Sequence, residues 1–387
     1  MLRKSDLEKL DIPYAKDDED GFAKFLSLSL PNMRELKLNI WNDFDPKVFG
    51  IGWWSKYPTL DVGRRILISD YLYQCIDSIQ TNMVEAKLHA MMWKDARDYL
   101  DEYVKDSVKV IEGKVRFQLR PRTKPGDDLR YHLADLHLAG ILRSLASTLD
   151  CLGGAIYGVI GIPKDIVKAD YHRVIIYLED RINRSSASDK ELMTSILKEL
   201  QQAERNSGPE DWLRFTSDSR NMIVHRGRRI NFNRLEPISK GLVDANSNPL
   251  FTSKSVQLLA SDPGRSEIES LIDSKNPPVL TEDAETTVEG LIASTIGFSE
   301  DVSKLLTEIW NKRKSDVDWI TQPRKQWPTI NGSPLTRFKG YAPGKYPFNV
   351  SEIRTFPKMV MRMKCASLEG KDIENWKTYT EESRRNL

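Results

Sequence analysis

Residues 219–227 read Ser-Arg-Asn-Met-Ile-Val-His-Arg-Gly and place reactive side chains inside an apolar helical pattern. On a helix that turns about 100° per residue, Asn221 and His225 share a face, while Arg220 lies at the border of that face with a long side chain. If the helix runs on from Pro209, its other side carries the apolar residues Trp212, Leu213, Phe215, Met222, Ile223 and Val224. We therefore predict a helix whose apolar side packs in a core and whose polar side can bind one anion.

The polar side of this predicted helix combines a proton carrier with a fixed cation. A histidine with an ordinary pKa of about 6.5 can take up or release a proton at neutral pH. A neighbouring guanidinium can hold a phosphate through its planar fork of N–H donors. His225 and Arg220 together therefore suit phosphodiester chemistry. The alternative is a histidine at a helix end that serves only the structure.

The spacing of these residues resembles a known signature. In the HEPN superfamily (higher eukaryotes and prokaryotes nucleotide-binding), an Arg is followed by four to six residues and then a His, often with a polar residue directly after the Arg. Arg220, Asn221 and His225 resemble this signature with its shortest spacing. The family is an all-helical bundle, usually dimeric, and many members are ribonucleases whose composite site forms where two motifs face each other.

The resemblance implies a metal-independent endoribonuclease that acts on RNA as a homodimer and needs no cofactor. Two chains would bring their copies of Arg220, Asn221 and His225 to one phosphodiester and leave a 2′,3′-cyclic phosphate end. His225 would move protons and Arg220 would stabilise charge. The resemblance also suggests the role of a toxin or anti-phage effector. The alternative function is a non-catalytic module that binds a nucleotide or a partner protein within a larger complex.

Helical periodicity surrounds the motif. Apolar residues at steps of three and four predict a long helix from about Arg64, followed by a second helix before about Val110. The best-defined stripe belongs to the next helix, which should end before Gly161, and consists of Leu138, Ile141, Leu142, Leu145, Leu149, Leu152 and Ile156. Further helices are predicted at about 170–184, 188–205 and 282–314, and a short strand at 115–119.

The helix with the best-defined stripe also carries a narrow polar seam. Arg143, Ser147, Asp150 and Gly154 follow one another at steps of three and four, and the small residues among them let another helix approach closely. HEPN domains commonly set a polar residue of such a helix beside the Arg and His. The resemblance makes Asp150 the candidate that orients Arg220 or His225. The alternative is a solvated or interhelical carboxylate without a catalytic part.

These patterns predict a mainly α fold with three segments. Residues 1–128 form an N-terminal cap and helical region, of which 1–62 show no clear periodicity and should be loosely structured. Residues 129–315 form the HEPN-like helical bundle, interrupted by a loop-rich insert at about 230–281. Residues 316–387 form an irregular basic and aromatic arm. The cap, the insert and the arm are the candidate sites for a regulatory partner protein.

Two groups of cations are the predicted RNA contacts. The first, a rim at the C-terminal end of the motif helix where the helix dipole favours cations, comprises Arg226, Arg228 and Arg229. The second lies in residues 319–364, where aromatic residues alternate with Lys and Arg and Glu352 is the single acidic residue. Such mixing is typical of single-stranded RNA binding, and the candidates are Arg324, Lys325, Arg337 and Lys339. The alternative is an arm whose aromatic residues pack on the bundle or on a partner chain.

Composition sets limits on the class of protein. With 387 residues and 40% hydrophobic content, the chain can form one large or two modest domains. The net charge of +2 carries no global nucleic-acid signature, so any basic surface must be local. The sequence begins in charged residues without an apolar region, and no run approaches the roughly 18 apolar residues of a membrane span. We therefore expect a soluble, cytoplasmic protein.

Cysteines and histidines outside the motif give no metal signature. Cys75, Cys151 and Cys365 are odd in number and far apart in sequence, which argues against a disulfide framework and a thiolate zinc site. The remaining histidines have no partners at metal-ligand spacing, and we predict structural or surface roles for His89, His132, His137 and His172. No metal is predicted.

Overall fold

The computed structural model describes residues 30–43, 62–111, 114–117, 127–184, 187–225, 231–237, 251–257, 280, 282–315 and 341. In this part of the chain the fold is mainly α-helical, which confirms the predicted class. Among its helices, none combines the length and the apolar character that crossing a bilayer requires.

The helices and strands follow one another in a simple order. The α-helices of the described ranges are α1 (Pro31–Asp43), α2 (Val62–Ser107), α3 (Asp127–Ile160), α4 (Tyr171–Arg184), α5 (Ala187–Ser207), α6 (Trp212–His225) and α7 (Ala284–Ser315). A short 3₁₀ helix, Ile166–Lys168, lies between α3 and α4. Two antiparallel hairpins complete the set, one of β1 (Val108–Ile111) with β2 (Lys114–Phe117) and one of β3 (Asn231–Pro237) with β4 (Phe251–Gln257).

The chain divides into two compact units. The first unit comprises Met1–Leu30, Gln80–Leu145 and Leu213–Ile292, and the second unit comprises Pro31–Ile79, Ala146–Trp212 and Ala293–Leu387. The long helices α2, α3 and α7 each contribute to both units. Each unit is therefore built from segments that are far apart in the sequence.

The apolar stripe predicted on α3 is confirmed. All seven of its residues, from Leu138 to Ile156, are buried, and the helix ends at Ile160. Gly161 follows with φ 79°, a left-handed conformation that glycine adopts without a steric cost. The prediction that α3 ends before Gly161 is therefore also correct.

The prediction of two helices before Val110 is wrong, because α2 runs without a break from Val62 to Ser107. The segment contains neither glycine nor proline after Gly63, so nothing in it interrupts the backbone hydrogen bonds. Its predicted stripe is buried at Ile68, Leu72, Cys75, Ile76, Ile79 and Met83, whereas Tyr71 is half-buried.

Helix α1 lies in the N-terminal segment for which we predicted loose structure. Its residues Met33, Leu36 and Ile40 are buried in the second unit. The Glu300 carboxylate of α7 accepts hydrogen bonds from the backbone N–H groups of Asn32 (2.9 Å) and Met33 (3.2 Å). A carboxylate at this end stabilises the helix by meeting N–H groups that have no intrahelical partner. The stabilising group comes from a distant helix, so the local sequence gives no sign of it.

A buried cation in the second unit binds the C-terminal end of α3. Arg313 of α7 is fully buried and donates a hydrogen bond to the Val159 carbonyl oxygen. Its guanidinium also lies against Gly161, where an added Cβ would be 3.1 Å from Nη2. The dipole of a helix favours a positive charge at its C-terminal end. Arg313 therefore stabilises the last turn of α3.

The motif helix α6 begins at Trp212 rather than at Pro209. Asp211 has a positive φ of 63°, which separates the preceding turn from the helix. Trp212 is buried as predicted, but Leu213 and Phe215 are half-buried.

Hairpins were only partly predicted. The strand expected at 115–119 is present as β2, but its partner β1 occupies residues that we assigned to a helix. The insert predicted to be rich in loops contains the β3–β4 hairpin, in which Asn231 lies opposite Gln257. Of the predicted C-terminal arm, the structure describes only Tyr341, which is fully exposed.

Candidate active site on helix α6

Arg220 and Asn221 form a hydrogen-bonded pair on α6. The Arg220 guanidinium donates from Nη1 to the Asn221 amide oxygen at 2.9 Å. Asn221 is exposed and Arg220 is half-buried. This bond draws the guanidinium from the border of the polar face toward the side chain of the next residue. The binding of one anion by Arg220, Asn221 and His225 stays a prediction.

The opposite side of α6 is anchored in the core. Thr216 and Ser219 are both fully buried, and they follow Trp212 at steps of four and three residues. Three residues at this spacing lie on one side of a helix. The buried side therefore fixes the rotation of the helix and leaves Asn221 directed outward. The sequence did not single out Thr216 and Ser219, because small hydroxyl residues are common on both core and surface.

His225 is the last residue of α6, one helical turn after Asn221. The side chains described on α6 end at Asn221, so the expected role of His225 stays a prediction that rests on its place in the sequence. The rim residues Arg226, Arg228 and Arg229 lie outside the described residues. The same is true of the candidates in the arm, Arg324, Lys325, Arg337 and Lys339.

Asp150 is half-buried on α3 and belongs to the second unit, whereas the residues of the motif belong to the first unit. Its neighbours in the predicted seam are the half-buried Ser147 and the buried Gly154. The close helix approach that the seam predicted is present at Gly154, where an added Cβ would lie 2.6 Å from Cys75 Sγ of α2. The pairing of Asp150 with Arg220 or His225 stays a prediction.

Sequence reasoning missed a histidine pair in the first unit. The Nδ1 atoms of His89 on α2 and His137 on α3 are 3.0 Å apart, so one ring donates a hydrogen bond to the other. Gly140, one turn after His137, allows this contact, because an added Cβ there would lie 2.6 Å from the His89 ring. Within the described ranges no group of three or more His, Cys, Asp or Glu side chains could hold a metal ion. The pair links α2 to α3 by a hydrogen bond.

Burial lowers the pKa of both histidines. For His89, the neighbouring Glu85 carboxylate raises the pKa and the Arg143 guanidinium lowers it, in addition to the dominant effect of burial. For His137, the charge of His89 lowers the pKa further. The folded protein therefore favours the neutral pair, in which one Nδ1 carries a proton and the other accepts the hydrogen bond.

This pair should make the protein less stable in mild acid. The unfolded chain takes up protons at both histidines as the pH falls below about 6.5, whereas the folded chain resists until the pH passes the lowered pKa values. The contribution of the pair to the free energy of unfolding should therefore be fully present at neutral pH. The free energy of unfolding, measured by urea titration, should fall as the pH is lowered from about 6.5. The variant His137→Asn should flatten this dependence. His172→Asn changes an exposed histidine and should leave it unchanged, and equal slopes for both variants would contradict the assignment.

Comparison of the chain with models of known families, with curated proteins and with solved structures finds no match.

Proposed function

We propose that the protein is a metal-independent endoribonuclease of the HEPN type, in which two copies of the chain form one composite site from Arg220, Asn221 and His225. The observation that carries the proposal is the hydrogen bond between Arg220 and Asn221 on the outward side of α6. It holds the Arg220 cation beside Asn221, which lies one turn before a residue that can transfer protons at neutral pH. This combination supports phosphodiester cleavage.

Each residue has a distinct role in the proposed reaction. The 2′-oxygen of a ribose attacks the adjacent phosphorus, and the bond from phosphorus to the 5′-oxygen breaks. His225 takes the proton of the 2′-hydroxyl or supplies one to the leaving 5′-oxygen. Arg220 stabilises the negative charge that grows on the non-bridging oxygens. The products are a 2′,3′-cyclic phosphate and a free 5′-hydroxyl.

Asn221 acts through the position of Arg220. An amide does not titrate, so Asn221 cannot transfer protons in this reaction. Its oxygen accepts the hydrogen bond from Nη1 and thereby limits the conformations of a long side chain. A guanidinium has five N–H donors, so holding Asn221 with one of them is compatible with holding a phosphate. We therefore assign Asn221 as a positioning residue.

The need for two proton transfers favours two copies of the chain. Cleavage requires a base for the 2′-hydroxyl and an acid for the leaving oxygen, and one motif supplies a single histidine. A twofold axis beside α6 places the same surface of both chains together and so brings a second histidine to the phosphodiester. A homodimer therefore completes the site with no further residue type. The role of a toxin or anti-phage effector follows the resemblance.

The reaction class can be tested on the purified full-length protein with labelled single-stranded RNA and excess EDTA. We expect cleavage that the chelator does not reduce and products that carry 2′,3′-cyclic phosphates. These ends are recognised because acid or a phosphatase that accepts cyclic phosphates changes their mobility. Cleavage only after addition of a divalent metal would contradict the proposed mechanism. RNA binding without any cleavage would favour a non-catalytic module.

A further inference from the structure

Two cysteines that are 76 positions apart in sequence meet in the second unit. Cys75 lies on α2 and is only 6% exposed, whereas Cys151 lies on α3 and is half-buried. Both are thiols, and their side chains are joined by a hydrogen bond. The Cys75 sulfur is therefore shielded from solvent, whereas a small solute can reach the Cys151 sulfur.

Glycine residues of α3 bring the two helices close enough for this contact. Gly154 lies one turn after Cys151, and a Cβ added there would be 2.6 Å from the Cys75 Sγ and 3.5 Å from its Cβ. A further turn along, a Cβ added at Gly158 would be 2.7 Å from Leu72. The two helices therefore pack closely beside the two sulfurs.

Tyr71 adds a second hydrogen bond beside the contact between the two cysteines. It lies one turn before Cys75 on α2 and forms a hydrogen bond with the Cys75 sulfur. Burial, followed by the charges of Cys75, Cys151 and Asp165, raises the pKa of Tyr71 to about 12, so its hydroxyl keeps its proton. The hydrogen bond to Cys151, followed by burial, raises the pKa of Cys75 well above its usual value.

Exposure assigns different roles to the two sulfurs. Cys75 is only 6% exposed and Cys151 is half-buried, so a small solute reaches the Cys151 sulfur first. The thiolate is the nucleophile in thiol chemistry. Cys151 is therefore the sulfur that attacks first, and Cys75 is the second thiol held beside it.

We propose that hydroperoxides oxidise Cys75 and Cys151 to a disulfide that links α2 to α3, so that this pair is a site of reversible oxidative modification. In the first step the Cys151 sulfur attacks one peroxide oxygen, the O–O bond breaks, and the other oxygen leaves with a proton as water or an alcohol. Cys151 is then a sulfenic acid. In the second step the Cys75 sulfur attacks the Cys151 sulfur, the S–O bond breaks, and the hydroxyl leaves with the Cys75 proton as water. The two sulfurs are oxidised, the peroxide is reduced, and an external thiol can reverse the change.

The experiment treats the purified full-length protein with hydrogen peroxide, blocks the remaining thiols with an alkylating agent and maps the peptides by mass spectrometry without reductant. We expect a linked pair of peptides that contain Cys75 and Cys151, together weighing two hydrogen atoms less than the reduced pair. A thiol reductant should remove the link. Alkylation of both cysteines after peroxide treatment, or direct oxidation of Cys151 to sulfinic acid without a link, would overturn the proposal.

Three variants separate the roles of the cysteines. Cys151→Ser should abolish the linked peptides, and Cys75→Ser should leave a Cys151 sulfenic acid that a dimedone reagent captures. Cys365→Ser is the matched control and should give the same linked peptides in the same yield as the unaltered protein. Loss of the link in the control would contradict the pairing of Cys75 with Cys151. The measurement on the unaltered chain decides the proposal even if a variant fails to fold.

Discussion

Replacing His225 with alanine is expected to slow the cleavage of single-stranded RNA by about 10²- to 10⁴-fold. The imidazole is the only group of the Arg220–Asn221–His225 motif that can exchange a proton near neutral pH. Without it, water must take over the proton transfers, while Arg220 continues to stabilise charge on the phosphate. The measurement is the single-turnover cleavage rate in EDTA with a uniformly labelled RNA.

The matched control for this variant is His172→Ala, because His172 is an exposed histidine on α4 and belongs to the second unit. Its cleavage rate should stay within about twofold of the unaltered protein, because the substituted side chain is exposed and has no role in the proposed reaction. Helix content by circular dichroism should be the same for both variants. Equal rates for His225→Ala and the unaltered protein would show that His225 takes no part in cleavage.

The long helices could be predicted because a buried stripe repeats at steps of three and four residues. On α3 the stripe extends from Leu138 to Ile156 without interruption, and glycine at 161 marks its end. On α7 the same periodicity predicted a helix over about 282–314, and the observed helix is Ala284–Ser315. In each case the information lies within the segment itself, which is why the sequence was sufficient.

Features that depend on two segments could not be predicted in this way. Helix α1 is stabilised at its N-terminal end by Glu300, which is 268 positions from Asn32. The start of α6 depends on the positive φ of Asp211, a conformation that asparagine or glycine adopts more readily. The pattern of residues in one segment identifies neither the distant side chain that stabilises a helix end nor the backbone angle of a single residue. The predicted boundaries therefore failed where long-range contacts determine them.

Pairing between helices was the largest gap in the prediction of candidate sites. His89 and Cys75 lie on α2, and their partners His137 and Cys151 lie on α3. Each pairing depends on how far one helix is shifted along the other, which periodicity does not determine. In the sequence, a glycine follows each α3 partner by one turn, and its lack of a Cβ allows the side chain of α2 to approach. Such glycines indicate a close contact between helices, but they do not identify the residue on the facing helix.

The residues of the motif could be assigned to one helix from the sequence, because they are neighbours in the chain. The side chains of Arg220 and Asn221 meet on the outward side of α6, and Trp212 lies on the buried side. Among the side chains that the structure describes on α6, Thr216 and Ser219 also lie on the buried side, while Phe215 is half-buried. A helix can bury small hydroxyl residues because they can satisfy their hydrogen bonds within their own backbone.

A composite site predicts that two inactive variants restore activity when they assemble together. A dimer of Arg220→Ala retains two histidines without the arginine, and a dimer of His225→Ala retains two arginines without the histidine. A mixed dimer contains one arginine and one histidine at the shared phosphodiester. Water must replace the second histidine in this dimer, so it should cleave RNA more slowly than the unaltered dimer. It should still cleave at least about tenfold faster than either variant alone, because one histidine and one stabilising cation act together at the phosphodiester.

The cleavage rate of this mixed dimer shows whether two copies of α6 share one site. The two variants are co-expressed with different affinity tags, purified over both tags in sequence and assayed on single-stranded RNA in EDTA. We expect a rate at least about tenfold above those of the two parent variants, with 2′,3′-cyclic phosphate ends. A mixed dimer that cleaves no faster than its parents would contradict a site shared between two copies of α6.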